Sequence, residues 1–162
     1  METIAVYWES RIKTYGFQRI TDLALIEFSC PLSEIKFLGE ILSQDDLKIL
    51  RPKFIIAQES DHEISFIFCL PLEEGENFHA SLEKTPSLTN HRYIYPVSII
   101  FFYGPHFGDR YGIATATFST LSKAGIKIIA SGCSSASVFL VLAQDDIDKA
   151  EEVLAETFEV AK

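Results

Sequence analysis

The 162-residue sequence predicts an α+β fold in which antiparallel sheets carry helices on one face. Segments rich in aromatic and β-branched residues, which favour strands, alternate with segments of helical period. Read in order they give one strand, then β-α-β-β-α-β, then β-α-β-β-α, so the second group is one strand short. The chain is 48% hydrophobic with no Ser/Gly linker or low-complexity tract, which is enough apolar surface for a real core.

The expected strands are Thr3–Trp8, Leu23–Ser29, Phe54–Gln58, Ile64–Leu70, His91–Tyr95, Val97–Tyr103, Ile126–Ser131 and Ser137–Ala143. The split between His91–Tyr95 and Val97–Tyr103 follows from Pro96, because proline has no N–H for a central ladder. In the helix Ser33–Ser43, Ile35, Leu38 and Leu42 recur on one face, and Ser33 is placed to cap it. Glu74–Lys84 sets Phe78 and Leu82 four apart. Gly112–Ala124 aligns Ala114, Phe118 and Leu121, with Gly125 as the stop. Asp145–Phe158 aligns Ile147, Ala150, Leu154 and Phe158, with Asp145, Asp146 and Asp148 at the positive end of its dipole.

The strand missing at the end and the unpaired strand at the start have one economical solution. Thr3–Trp8 returns to complete the second sheet, so that residues 20–95 form a first unit inserted into a second, made of 1–19 plus 96–162. Split β-α-β units of this kind are ferredoxin-like.

The stretch from Gly112 to Val160 resembles the C-terminal ACT domain of aspartate kinases. Its landmarks are Gly112-Ile113-Ala114, Phe118 and Leu121, Ala124-Gly125-Ile126-Lys127-Ile128, Ser131-Gly132-Cys133-Ser134 and Thr157-Phe158-Glu159. Ile55-Ile56-Ala57-Gln58 followed by Ile64-Ser65-Phe66 is similar, more faintly, to the first ACT domain of those kinases. There the first unit departs from the pattern at Cys30-Pro31-Leu32-Ser33, at Asp45-Asp46 and at Arg51-Pro52-Lys53. The Lys-Phe-Gly-Gly nucleotide signature of the kinase is absent. The resemblance implies a free-standing regulatory module that senses a small amino acid, lysine or threonine by analogy. It also implies a homodimer through ACT pairing and a partner biosynthetic enzyme.

By the same resemblance the effector lies against the loop His106–Ala114, with Asp109, Gly112, Ile113 and Ala114 as candidate contacts. Asp109 would hold an ammonium, and N–H groups at the helix start would take a carboxylate. Ser131, Gly132, Cys133 and Ser134 offer hydroxyls and backbone groups beside that loop, and Gln58 is the polar candidate of the first unit. Ordinary helix capping, a polar β-turn and an exposed strand-end amide are the competing readings of these three places. A ligand-independent assembly module for a partner enzyme is the alternative function.

Other classes find little support. Lys plus Arg number 14 against 23 acids, a formal charge of −9 without a basic cluster, which leaves no field for nucleic acid. His62, His79, His91 and His106 show no metal-ligand spacing, so no metal or cofactor is expected. No G-x-S-x-G elbow or phosphate loop occurs, and Cys133 reads more simply as a small buried thiol at a strand end than as a nucleophile. No catalytic residue is assigned. Ile64–Leu72, the longest apolar stretch, is too short to cross a bilayer, and METIAVYWESRIK lacks export features. Three cysteines, without C-x-x-C, fit a reducing compartment, so the expectation is a cytoplasmic protein without membrane contact.

Overall fold

Large apolar side chains crowd two long tracts of the chain, and both are strands of 15 residues, β2 (Phe17–Pro31) and β5 (Thr89–Tyr103). The computed structural model describes residues 11–44, 47, 49–60, 62–86, 88–105 and 107–160. The expected strand Thr3–Trp8, the pair Asp45–Asp46 and His106 lie outside the described residues. The remaining elements are β1 (Ile12–Thr14), α1 (Ile35–Leu42), β3 (Phe54–Ser60), β4 (Glu63–Pro71), α2 (Leu72–Glu83), α3 (Ile113–Lys123), β6 (Ile128–Cys133), β7 (Ser137–Ala143), α4 (Ile147–Thr157) and β8 (Phe158–Val160). They fall into two compact units, Asp22–Val97 and, as far as described, Met1–Thr21 with Ser98–Lys162.

Within Asp22–Val97 the strands lie in the order β3-β4-β2-β5, and both β2 and β3 pair antiparallel with β4. With α1 and α2 this is the ferredoxin-like β-α-β-β-α-β arrangement. Register places Phe28 opposite Phe66, and the rings of Phe28, Phe66, Phe68 and Phe78 pack together with centroids 5.2–6.3 Å apart. Fully burying one such side chain contributes about 1.5–3 kcal/mol, so this cluster dominates the unit's core. Helix α2 buries Phe78 and Leu82 as the sequence predicts. Helix α1 buries Leu38 and packs Leu42 partly buried against the core, as expected, but it also buries Ile41 and leaves Ile35 42% exposed. Ser33 lies inside a 3-10 turn, Leu32–Glu34, ahead of the helix, and makes no capping bond.

In the other unit β5, whose residues 98–103 belong here, lies between β2 and β7, with β6 beyond β7. Phe17 of β2 packs on Phe102 and Phe158, and Arg19 of β2 pairs with Asp148 and Glu151 of α4. These polar-rich residues were not expected to be strand, because FQRITD lacks the apolar alternation on which a sequence reading relies. Asp22, at the junction between the units, adopts a positive φ of 58°, a backbone state that aspartate tolerates better than bulkier residues. Nor does Pro96 divide β5. The strand runs through a cis Tyr95–Pro96 bond, and Pro96 is exposed, where its missing N–H costs least.

Helix α3 is rotated from its expected face. It buries Ile113, Thr117 and Leu121, while Ala114 is exposed and Phe118 is 37% exposed. Thr117 tolerates burial because its hydroxyl donates to the Ile113 carbonyl at 2.8 Å. Gly125, at φ 74°, ends the helix as predicted, with Ile126 N–H donating to the Leu121 carbonyl at 2.9 Å. Helix α4 buries Ile147, Ala150 and Leu154, also as predicted.

The start of the described chain is tied to this unit by β1, which pairs parallel with β8. Buried Thr14 donates its hydroxyl to the Tyr103 carbonyl at 2.8 Å, and Tyr15 N–H donates to the same carbonyl at 2.9 Å. Gly104 makes this approach possible, since a Cβ there would stand 2.3 Å from the Lys13 carbonyl oxygen and 2.6 Å from the Phe107 ring. Gly104→Ala is therefore expected to cost about 1–3 kcal/mol, seen as a lower midpoint of urea denaturation. Gly39→Ala in α1 meets nothing within 4 Å and should leave the midpoint unchanged or raise it.

In Asp22–Val97, Glu74 of α2 pins the segment after α1. Burial pushes its carboxyl upward, but the Arg51 backbone N–H at 2.7 Å, the Arg51 Nε at 2.8 Å and the cationic charge outweigh that and hold it below the usual range. A carboxyl lowered in the folded state stabilises above its unfolded value of about 4.3 and stops doing so as pH falls through the lower folded value. Glu74→Gln should therefore be less stable than the parent at neutral pH, and the gap should close in acid. Urea denaturation of both proteins across that range checks it.

Candidate functional site

The chain between β5 and α3 turns back over the mouth of its unit. Gly104 carries Phe107 inward, where its ring meets Phe102 edge-on at 5.9 Å. Gly108 passes the β6–β7 turn so closely that a Cβ would sit 3.1 Å from the Ser135 carbonyl oxygen. Arg110, half-buried, donates from Nη1 to the Arg11 carbonyl at 3.3 Å, which ties the loop to the segment just before β1. Gly112 then enters α3 in the left-handed conformation, φ 89°, which suits glycine and little else.

Between this loop and the β6–β7 turn lies a cavity of about 230 Å³, lined by Phe107, Arg110, Tyr111, Gly112, Ile113, Ala114, Cys133, Ser134 and Val138. That is below the roughly 300–1,000 Å³ of drug-sized pockets and suits a small metabolite. Phe107, Ile113 and Val138 supply apolar wall, and Arg110 supplies positive charge. The first helical bond of α3 described at this end runs from Ala116 N–H to the Gly112 carbonyl at 2.8 Å. N–H groups ahead of it have no helical acceptor, so the helix start adds partial positive charge.

Of the residues singled out in the sequence, Gly112, Ile113, Ala114, Cys133 and Ser134 line this cavity together. Asp109, Ser131 and Gly132 do not, although Asp109 lies in the loop and is exposed. Ser131, Gly132 and Cys133 are not a turn but the end of β6, opposite Leu140, Phe139 and Val138. Ser134 closes the turn itself. Its hydroxyl accepts from Ala136 N–H at 3.2 Å and Ser137 N–H at 3.1 Å and exchanges a bond with the Ser137 hydroxyl at 2.8 Å, so it is largely committed to its own backbone. Gln58 sits in the other unit, on β3 opposite Ser65.

Sequence reading passed over Phe107, Arg110, Tyr111 and Val138 as contacts. Arg110 stood between Gly108 and Gly112, and a cation between two loop glycines was the available signal. Tyr111 stands 98% exposed at the rim. In Asp22–Val97 the corresponding connection is too short to form such a mouth. Pro31 passes straight into the 3-10 turn, and Leu32 N–H already donates to the His62 carbonyl at 2.9 Å. A polar cavity of about 210 Å³ in that unit lies elsewhere, between Ile49–Arg51 and Glu73, Glu74 and Asn77.

Among the described residues no group of three or more His, Cys, Asp or Glu is arranged to hold a metal ion. No helix among them is long and apolar enough to cross a membrane. Cys30 and Cys69 are buried, and burial pushes the Cys69 thiol up to about 12, whereas Cys133, expected to be buried, is exposed because it ends β6 at the cavity. A thiol reagent such as Ellman's should therefore label one cysteine, Cys133, in the native protein and three after denaturation. Mass spectrometry of the labelled peptides checks the assignment.

The sequence model of the ACT domain matches residues 100–158, which span the loop, the cavity and α4. No curated protein matches the chain. Among solved structures, the regulatory subunit of aspartate kinase from Thermus flavus superposes with a TM-score of 0.76 at 12% identity, over 90% of this chain and 99% of that one. The ligand-free regulatory subunit from Thermus thermophilus gives 0.74 at 13% identity, over 90% and 99%. Aspartate kinase from Synechocystis gives 0.74 at 20% identity, over 92% of this chain and 28% of that chain. Identities this low speak for the fold alone. Residues 100–158 match the ACT domain model, and the chain has the tandem ferredoxin-like fold seen in aspartate kinase regulatory subunits.

Proposed function

We propose that this protein is a regulatory module that binds a small amino acid in the cavity between the 104–112 loop and the β6–β7 turn and so modulates an enzyme of amino-acid metabolism. The observation that carries the reading is the cavity: metabolite-sized, apolar on one side, and positive where α3 begins. The contacts proposed are Gly112, Ile113, Ala114, Cys133 and Ser134, with Asp109, Ser131, Gly132 and Gln58 outside the lining. The two ACT units are proposed as residues 20–95 and residues 1–19 plus 96–162. The protein acts without catalysis of its own, as a homodimer through ACT pairing, on a partner biosynthetic enzyme. Its likeness to structures described as regulatory subunits supports that reading. A ligand shifts such an assembly only as far as it binds one state better than the other.

The alternative, an assembly module that needs no ligand, is favoured by one observation. In the Asp22–Val97 unit the corresponding helix start is closed by Pro31 and the Leu32 to His62 bond. Calorimetric titration with the common amino acids separates the two. The regulatory reading expects heat with one of them at about one ligand per chain, and loss of that heat in Ala114→Trp, which fills the cavity from an exposed position. No heat and no thermal shift with any of them would leave the assembly module standing.

A further inference from the structure

We infer that the exposed face of α3 is a two-fold interface between two copies of this chain, with the two helices antiparallel. This rests on the homodimer part of the proposed function and names the surface through which the copies meet. From Ile113 to Ser122 the helix has no ionisable side chain, which is true of no other described α-helix. Its exposed residues there are Ala114, Thr115, Phe118, Ser119 and Ser122. By contrast α2 exposes Glu73, Glu76 and Glu83, and α4 exposes Asp148, Glu152 and Glu156.

Charge selects the occupant. The chain has a formal charge of −9, so two copies repel wherever acids face acids. The α3 face avoids that, and its two ends complement each other. Exposed Asp109 precedes the helix, and exposed Lys123 and Lys127 stand at its end and just beyond it. Arg110, the residue after Asp109, is half-buried and donates to the Arg11 carbonyl. Antiparallel pairing brings each Asp109 toward the partner's lysines and opposes the two helix dipoles, whereas parallel pairing would set like charge on like. A partner that binds by charge finds nothing to pair with between Ile113 and Ser122. Shape agrees with a second copy. Phe118 is mid-helix and 37% exposed, with Ala114 and Thr115 one turn before it and Ser122 one turn after. Small neighbours let two helices approach to about 8 Å, so that each Phe118 ring covers small residues of the other copy. Such an isologous contact uses one self-complementary patch twice.

Sedimentation velocity on the full chain, over a wide concentration range and with and without the common amino acids, tests the surface. The parent is expected to dimerise. Phe118→Glu, which sets an acid against its own copy, should raise the dimer dissociation constant about tenfold or more. Asp109→Lys alone should weaken the dimer, and adding Lys123→Glu and Lys127→Glu should restore part of it, because the exchange rebuilds the pairing with its signs reversed. Phe118 and Asp109 are already partly or fully exposed, and circular dichroism with the count of native-reactive thiols verifies that each variant keeps its fold. A dimer unchanged by Phe118→Glu, or no recovery on charge exchange, would overturn the antiparallel α3 interface while leaving the homodimer in place. A parent that stays monomeric under every condition would overturn both.

Discussion

The arrangement of the site depends on one close approach, that of the β1 backbone to Gly104. Without a side chain at position 104 the Lys13 carbonyl can lie where a Cβ would be, and Thr14 and Tyr15 both bond the Tyr103 carbonyl. That contact ends β5 and directs the following loop across the unit. Phe107 is turned onto Phe102, and Arg110 is brought to the Arg11 carbonyl. Each of these bonds is modest, about 0.5–1.5 kcal/mol net for a neutral hydrogen bond. Their effect is geometric, because they hold the loop wall of the cavity.

The two units show how the same β-α-β-β-α-β plan can be closed in different ways. Where a nine-residue tract ending in a left-handed glycine joins strand to helix, as at 104–112, the helix start stays accessible beside a cavity. In Asp22–Val97 a proline ends the strand directly at a 3-10 turn, and a neighbouring carbonyl occupies the first N–H. That unit instead concentrates its packing in a phenylalanine cluster and an Arg51–Glu74 ion pair. Both units have a filled core, and they differ in what lies at the strand-to-helix connection.

The sequence made the element types legible wherever periodicity was strong. Helix α4 declared itself through Ile147, Ala150 and Leu154 and through acids at its start, and Gly125 marked the end of α3. Strand β7 was found to the residue because Ser137–Ala143 is bounded by a serine-rich turn and a polar helix start. Less legible were positions where one residue serves two elements. Ile35 and Phe118 look like core on a helical wheel, yet both are partly exposed in the fold, where α1 starts after a 3-10 turn and α3 after the left-handed Gly112. The polar start of β2 was not legible at all, since Arg19 is placed by Asp148 and Glu151 of a distant helix.

Local pattern in the chain therefore determined its class: alternating strands and helices, the loop glycines, the serine-rich turn, and the acidic charge balance that disfavours nucleic acid. Tertiary structure alone decided which residues face the cavity. Arg110 joins the lining and Asp109 does not although they are neighbours in sequence, and Val138 of β7 lines the same cavity as Ile113 of α3. The physical reason is that a cavity is a relation between segments distant along the chain. Its charge is set by which side chains the backbone turns inward, and periodicity within one segment carries no record of that.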